Sequence, residues 1–287
     1  MKKYFFYTYI LFLLAGLFGC SKKDESLVFG NAAQQRALTD LKKDQLLLTS
    51  APYGWKAVIF PGSDIGRGFF FKFNDQNQVQ TYPDPSLKLI SPAYGDPGIS
   101  SYQLKSLQRT SLIFDTYSSL SILSDPQNGV RGSGYSSDIE FSFTSASSDT
   151  IRFTGNFNQT PMTLIKATAA EYDAYQKDGL QVFKTALINY STSIMGKKLN
   201  LAIDATHNPE CTIVTDKDND RTFTLIYTDS KGVSQKQTTK WGPTVNSLFF
   251  QTPILYNDIV INEVFYDTAK LSMYIMWKGK RYEIVAS

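Results

Sequence analysis

A chain of 287 residues that is 42% hydrophobic, 14% aromatic and 19% charged is long enough for one large core or two smaller ones, and its composition is that of a globular protein. The formal charge of +3 owes much to Lys2 and Lys3; without them the basic residues nearly balance the 26 acidic ones. That balance excludes the basic footprint of a nucleic-acid-binding protein, so no nucleic-acid partner is expected.

The chain opens on a short positive segment, Met1-Lys2-Lys3, followed by an uncharged, mostly apolar run from Tyr4 to Phe18. Fifteen residues suit the apolar core of a secretory signal better than a bilayer span. The run ends at Leu17-Phe18-Gly19-Cys20, which resembles the lipobox of bacterial lipoproteins, although Phe18 stands where a small residue is usual. The resemblance implies a signal peptide over 1–19, lipidation of Cys20, and a lipidated tether over 20–30 that makes the membrane a partner. Ser21-Lys22-Lys23-Asp24-Glu25-Ser26 is similar to the export signal of surface-exposed lipoproteins of the Bacteroidota, which implies an outer-membrane location on the cell surface. With Cys20 acylated, Cys211 has no disulfide partner. Its neighbours Ile213 and Val214 predict a strand and a buried, inert thiol. His207, four residues upstream, leaves a Cys/His nucleophile as the alternative.

Asn31-Ala32-Ala33-Gln34 reads as a helix cap with a reciprocal Gln, and Ala37, Leu38, Leu41 and Leu48 follow at helical spacing until Pro52. A second start of the same kind, Thr168-Ala169-Ala170-Glu171, opens a stripe of Tyr172, Tyr175, Phe183, Leu187, Tyr190 and Ile194, which Asp178-Gly179 can split. Elsewhere short aromatic and β-branched runs alternate with Gly, Pro, Asn and Asp turns, the pattern of antiparallel meanders. On the run Arg67–Phe73, Phe69, Phe71 and Phe73 share one face and Phe70 and Lys72 the other, so at least one face must be covered, and the helix is the expected cover.

The two β regions align with each other in order. Arg67–Asp75 matches Arg221–Asp229, Ser111–Thr116 matches Ser247–Thr252, and Asp149-Thr150 matches Asp267-Thr268. The expected fold class is therefore α+β, predominantly antiparallel β, built as a tandem of two helix-plus-β-meander units over 31–167 and 168–287.

Phe29, Arg36, the leucine-rich helix and then Ala51-Pro52-Tyr53-Gly54-Trp55-Lys56 resemble the opening of a family of uncharacterised outer-membrane lipoproteins of the Bacteroidota, companions of nutrient uptake systems. The resemblance implies a habitat and uptake components as partners, and carries no catalytic residues. Gly54-Trp55 suits a tight turn that delivers an indole to the core at the first strand.

Motifs for chemistry are sparse. The single histidine excludes any two-histidine zinc site, Arg131-Gly-Ser-Gly-Tyr135 is a loop rather than a nucleophile elbow, and no glycine-rich loop ends in Lys-Ser or Lys-Thr. Asp216-Lys-Asp-Asn-Asp220 opens like a calcium loop, but Arg221 replaces the turn glycine and Tyr227 the closing glutamate, so a solvated hairpin is the better account. Asp138 and Glu140 lie two apart on an expected strand, the spacing of a side-by-side carboxylate pair. No enzyme activity, metal or cofactor is expected. Aromatic residues beside turns remain: Tyr94, Tyr135, Trp241 and Tyr256, whose rings could hold the apolar face of a sugar. The leading expectation is a non-catalytic lipoprotein that binds a glycan or related nutrient for an uptake system. A structural lipoprotein docking to other outer-membrane components comes second and a hydrolase third.

Overall fold

The computed structural model describes residues 30–62, 64–90, 98–204, 208–217 and 220–287. The expected signal peptide, Cys20 and nearly all of the tether lie outside them. The chain divides into two compact units, Met1–Asp40 and Leu41–Ser287. In the first, the described part is the opening of helix α1 (Gly30–Thr49), which begins one residue ahead of the expected cap at Asn31. Among the described residues no helix is long and apolar enough to cross a membrane.

The second unit is built from two closed barrels. In the first, strands β1 (Trp55–Ile59), β2 (Arg67–Phe73), β3 (Gln78–Pro83), β4 (Gly98–Ser106), β5 (Thr110–Phe114), β6 (Glu140–Ala146), β7 (Thr150–Gly155) and β8 (Pro161–Lys166) each pair antiparallel with the next. Strand β1 also pairs with β8, Trp55 opposite Lys166 and Ile59 opposite Met162, and the sheet closes. The second barrel follows the same up-and-down order through β9 (Leu199–Leu201), β10 (Glu210–Lys217), β11 (Asp220–Thr228), β12 (Ser234–Pro243), β13 (Ser247–Tyr256), β14 (Ile259–Asp267), β15 (Ser272–Trp277) and β16 (Lys280–Ala286). Here the short β9 closes the ring by pairing with both β10 and β16.

This overturns the expected tandem of helix-plus-meander units: the protein is mostly antiparallel β, and its strands form two eight-stranded barrels. The physical reason is closure. Once the first and last strands of a meander hydrogen-bond to each other, the inward face is covered by its own far wall and no sheet edge is left open. Phe69, Phe71 and Phe73 therefore point into a lumen that they fill together with Trp55, Tyr102, Phe114 and Phe141. Phe71 packs 5.6 Å from Phe69 and 5.3 Å from Phe114, ring centre to ring centre. Each such ring contributes roughly 1.5–3 kcal/mol through burial. The opposite face of β2 is covered too: Phe70 lies 4.9 Å from Tyr175 and 5.4 Å from Tyr172.

Those tyrosines belong to helix α3 (Ala169–Gln176), which follows the short α2 (Pro85–Ile90). Thr168 and Glu171 form the reciprocal cap expected at its start. Asp178, with φ +60°, breaks the chain between α3 and α4 (Gly179–Ser193), as the Asp178-Gly179 pair suggested. At the N-terminal side, Trp55 is fully buried and its Nε1 donates to Leu48 O at 2.8 Å, which ties the end of α1 to β1.

The barrels meet where the start of β2 faces the end of β12. A Cβ on Gly68 would stand 2.1 Å from Pro243 O, so only glycine allows this approach. A buried ionic cluster spans the same junction. Arg67 binds Asp64 at 2.6 and 2.9 Å, while Arg221 donates to Gly66 O at 2.6 Å and to Asp84 at 3.3 Å. Burial pushes the Asp84 carboxyl up, but Arg221, Arg67 and the hydrogen bonds from Ser86 outweigh it and hold it below the ordinary range. Arg67 and Arg221, which the internal alignment matched, thus converge on one carboxylate. They occupy the second strand of one barrel and the third of the other, whereas the remaining two matches keep the strand order, β5 with β13 and the residues before β7 with those before β15.

Candidate functional site

The aromatic residues expected to contact ligand are dispersed. Tyr94 lies outside the described residues, as does His207. Trp241 is 1% exposed inside the second barrel, with Nε1 donating to Val214 O at 3.1 Å and the Arg221 guanidinium 5.3 Å from its ring centre. Tyr256 is also buried, edge-on to Tyr227. Tyr135 is half-buried against the first core, beneath the loop that Gly129 turns. These rings pack rather than present a face to solvent.

An open concave surface with convergent polar groups lies on the first barrel, on the side formed by β5, β6 and β7. Two cavities of about 490 and 590 Å³ share Asn156 and make one trough. Its central wall is the β7–β8 turn, 156–160, and the sequence explains its shape. Asp138, buried just before β6, accepts the backbone N–H groups of Phe157 at 2.8 Å, Asn158 at 2.9 Å and Thr160 at 3.2 Å. A Cβ on Gly155 would fall 2.0 Å from Asp138 Oδ2, so glycine is required for the carboxylate to reach the turn. The pair read from sequence as side-by-side carboxylates is thereby split in role. Asp138 is spent on the backbone, and Glu140, which opens β6, lines the cavity with no side-chain partner among the described residues.

The turn so held projects Phe157, 88% exposed, between two oriented amides. Asn156 Oδ1 accepts from Ser142 at 2.7 Å, and Asn158 Nδ2 donates to Ser137 O at 2.7 Å. Each amide keeps hydrogen-bonding capacity for a ligand. The Ser137 hydroxyl, which also lines this half, is buried and has no hydrogen-bond partner among the described residues. In the other half, Arg109 stands at the tip of the β4–β5 hairpin beside Ser142, Thr144, Thr154 and Gln159. The signal for Phe157 in the sequence is an aromatic residue between two asparagines, Asn156-Phe157-Asn158, before Gln159 and Thr160. Arg109 gave none, because a lone arginine in a hairpin is indistinguishable from a solvated one.

Other reactive groups are placed for packing. Burial and the neighbouring Glu210 push the Cys211 thiol up to about 12, which leaves it protonated and unreactive at neutral pH. It lines a smaller groove of about 270 Å³ between α4 and strands β9 and β10. Among the described residues no group of three or more His, Cys, Asp or Glu is placed to hold a metal. The Asp216–Asp220 segment joins β10 to β11 and falls partly outside the described residues.

A family model described as "Domain of unknown function (DUF4302)" matches residues 25–268. The chain belongs to this family. The expected kinship with an uncharacterised family holds at that level, and the DUF4302 match extends from before α1 through β14, so it includes the whole trough. No curated protein matches the chain. Among solved structures, the crystal structure of the di-domain ARO/CYC StfQ from the steffimycin biosynthetic pathway aligns over 88% of this chain and 80% of its own, at 8% identity and a TM-score of 0.20. A likeness at that score bears on neither the fold nor the chemistry of this DUF4302 protein.

Proposed function

We propose that this DUF4302 protein is a non-catalytic carbohydrate-binding lipoprotein, anchored through Cys20 in the outer membrane of a member of the Bacteroidota, that captures a glycan for an uptake system. The observation that carries the binding reading is Phe157, an almost fully exposed ring on a turn whose backbone is fixed by Asp138, between two asparagine amides that are themselves hydrogen-bonded, in one half of the trough. An exposed ring offers an apolar face to the axial hydrogens of a pyranose, and flanking amides and hydroxyls offer donors and acceptors to its hydroxyl groups. A trough shaped by a buried carboxylate and a required glycine is preorganised, so little ordering cost falls on binding. The one buried carboxylate at the site is saturated by backbone donors, which favours recognition over acid–base chemistry. The anchor and its location rest on the leader and the tether sequence.

The test is a panel of purified oligosaccharides titrated calorimetrically into the purified full chain and its Phe157→Ala variant. Saturable binding to a subset of the panel, weakened about tenfold or more by the substitution, supports the reading. Silence across the panel, together with co-purification of outer-membrane components, would replace it with a docking role.

A further inference from the structure

The trough carries its charge asymmetrically, and this narrows the class of ligand that the carbohydrate reading, on which this inference rests, would admit. Among the described residues neither Arg109 nor Glu140 has a side-chain hydrogen bond or ion pair, and the two line different halves of the trough. The half lined by Arg109 contains hydroxyls and amides but no carboxylate. An arginine on a surface with a carboxylate in reach ordinarily pairs with it, as Arg281 does here with Glu283 at 2.7 Å and Asp267 at 2.8 Å. Arg109 has no such partner among the described residues and leaves its guanidinium fork to solvent. Its backbone is held in place, since Arg109 O accepts from Leu107 N at 3.2 Å and from the Ser111 hydroxyl at 3.4 Å. The Ser111 hydroxyl in turn accepts from Asn156 Nδ2 at 3.4 Å, and Asn156 Oδ1 accepts from Ser142 at 2.7 Å. The hairpin and the central turn are therefore linked through one chain of hydrogen bonds.

We propose that the Arg109 half of the trough receives an anionic substituent of the glycan, a uronate carboxylate or a sulfate ester, while a sugar ring without charge stacks on Phe157 in the other half. The planar fork of arginine matches two oxygens of such a group in parallel, and the neighbouring Thr154 hydroxyl can donate to it as well. Glu140, which lines the Phe157 half beside the shared Asn156, repels a second anionic unit there. The site thus selects a chain in which acidic and neutral residues alternate over a polymer that is acidic throughout.

The test uses three sets of oligosaccharides against the purified full chain: mixed uronate-containing oligosaccharides, the same molecules with their carboxyls reduced to alcohols, and sulfated neutral oligosaccharides. The inference expects at least one acidic set to bind about tenfold more tightly than the carboxyl-reduced set. Arg109→Gln is expected to erase that preference and its salt dependence, and Glu140→Gln to improve binding of fully acidic chains. The first set names carboxylate as the anion and the third names sulfate. Equal affinity for reduced and acidic sets overturns this inference and leaves the carbohydrate reading intact. Absence of binding to all three sets, with Phe157→Ala also silent, overturns both.

Discussion

Asp138→Ala removes the group on which the shape of the trough depends. Its carboxylate accepts three backbone N–H groups, those of Phe157, Asn158 and Thr160. A hydrogen bond to a charged acceptor contributes about 1.5–3 kcal/mol net when both partners are shielded. Phe157 and Asn158 sit on an exposed turn, where water replaces much of what the substitution removes. Thr160 is 1% exposed, and its N–H loses its partner outright, at about 1–3 kcal/mol. The total destabilisation is therefore about 2–4 kcal/mol, which for a protein of this size lowers Tm on the order of 10 °C. Calorimetric melting measures the loss, and hydrogen exchange localises it. Amides of 157–160 are expected to exchange faster while those of β1 and β2 keep their protection, and glycan affinity is expected to fall although Asp138 touches no ligand. A variant that melts within 1 °C of the parent, with unchanged exchange in the turn, would refute the claim that this carboxylate builds the site.

Phe71→Ala is expected to cost about 3–5 kcal/mol by opening a cavity in the first lumen, measured by chemical denaturation, since the ring touches Phe69, Phe73 and Phe114. Asp84→Asn removes the buried carboxylate shared by Arg67 and Arg221 and is expected to destabilise by up to about 3–5 kcal/mol. Because the Asp84 carboxyl is held below the ordinary range, the parent keeps this contribution above that range and loses it as pH falls; a Tm–pH profile of the variant should be flatter at the acidic end. Glu263 carries the opposite sign. Burial raises its carboxyl above the ordinary value, Glu171 adding to the rise while Lys56 and Ser247 partly offset it. The native state therefore holds the proton more tightly than the unfolded chain, and stability falls as pH rises from the ordinary glutamate value through the raised one. Glu263→Gln should remove that fall and raise Tm at neutral pH; an unchanged profile would contradict the assignment.

Local chemistry was legible in the sequence wherever a short-range rule governed it. Thr168 and Glu171 announce a reciprocal cap, Asp178-Gly179 a break, and the alternation of Phe69, Phe71 and Phe73 a buried strand face, and all three are present. What covers that face was not legible. Period-two patterning shows that a face is buried but not whether a helix or the opposite wall of a closed sheet buries it, because closure depends on pairing between β1 and β8, more than a hundred residues apart. The exposure of aromatic residues beside turns was illegible for the same reason. Trp241 stands next to Gly242 and Pro243 in sequence, yet it is buried in the second barrel, whereas Phe157 is exposed on a turn whose backbone is bonded to a carboxylate at position 138 that no local rule connects to it. The arginine pair 67 and 221 shows a middle case, a real internal match whose meaning is a shared junction rather than equivalent strands.

Whether a glycan binds in the trough on the first barrel is decided by hydrogen-exchange mass spectrometry of the purified full chain with and without an oligosaccharide that calorimetry shows to bind. Protection confined to segments 107–111, 137–142 and 154–160 is the expected result. Binding accompanied by protection elsewhere, for example along α4 and β10, with those three segments unchanged, would contradict it.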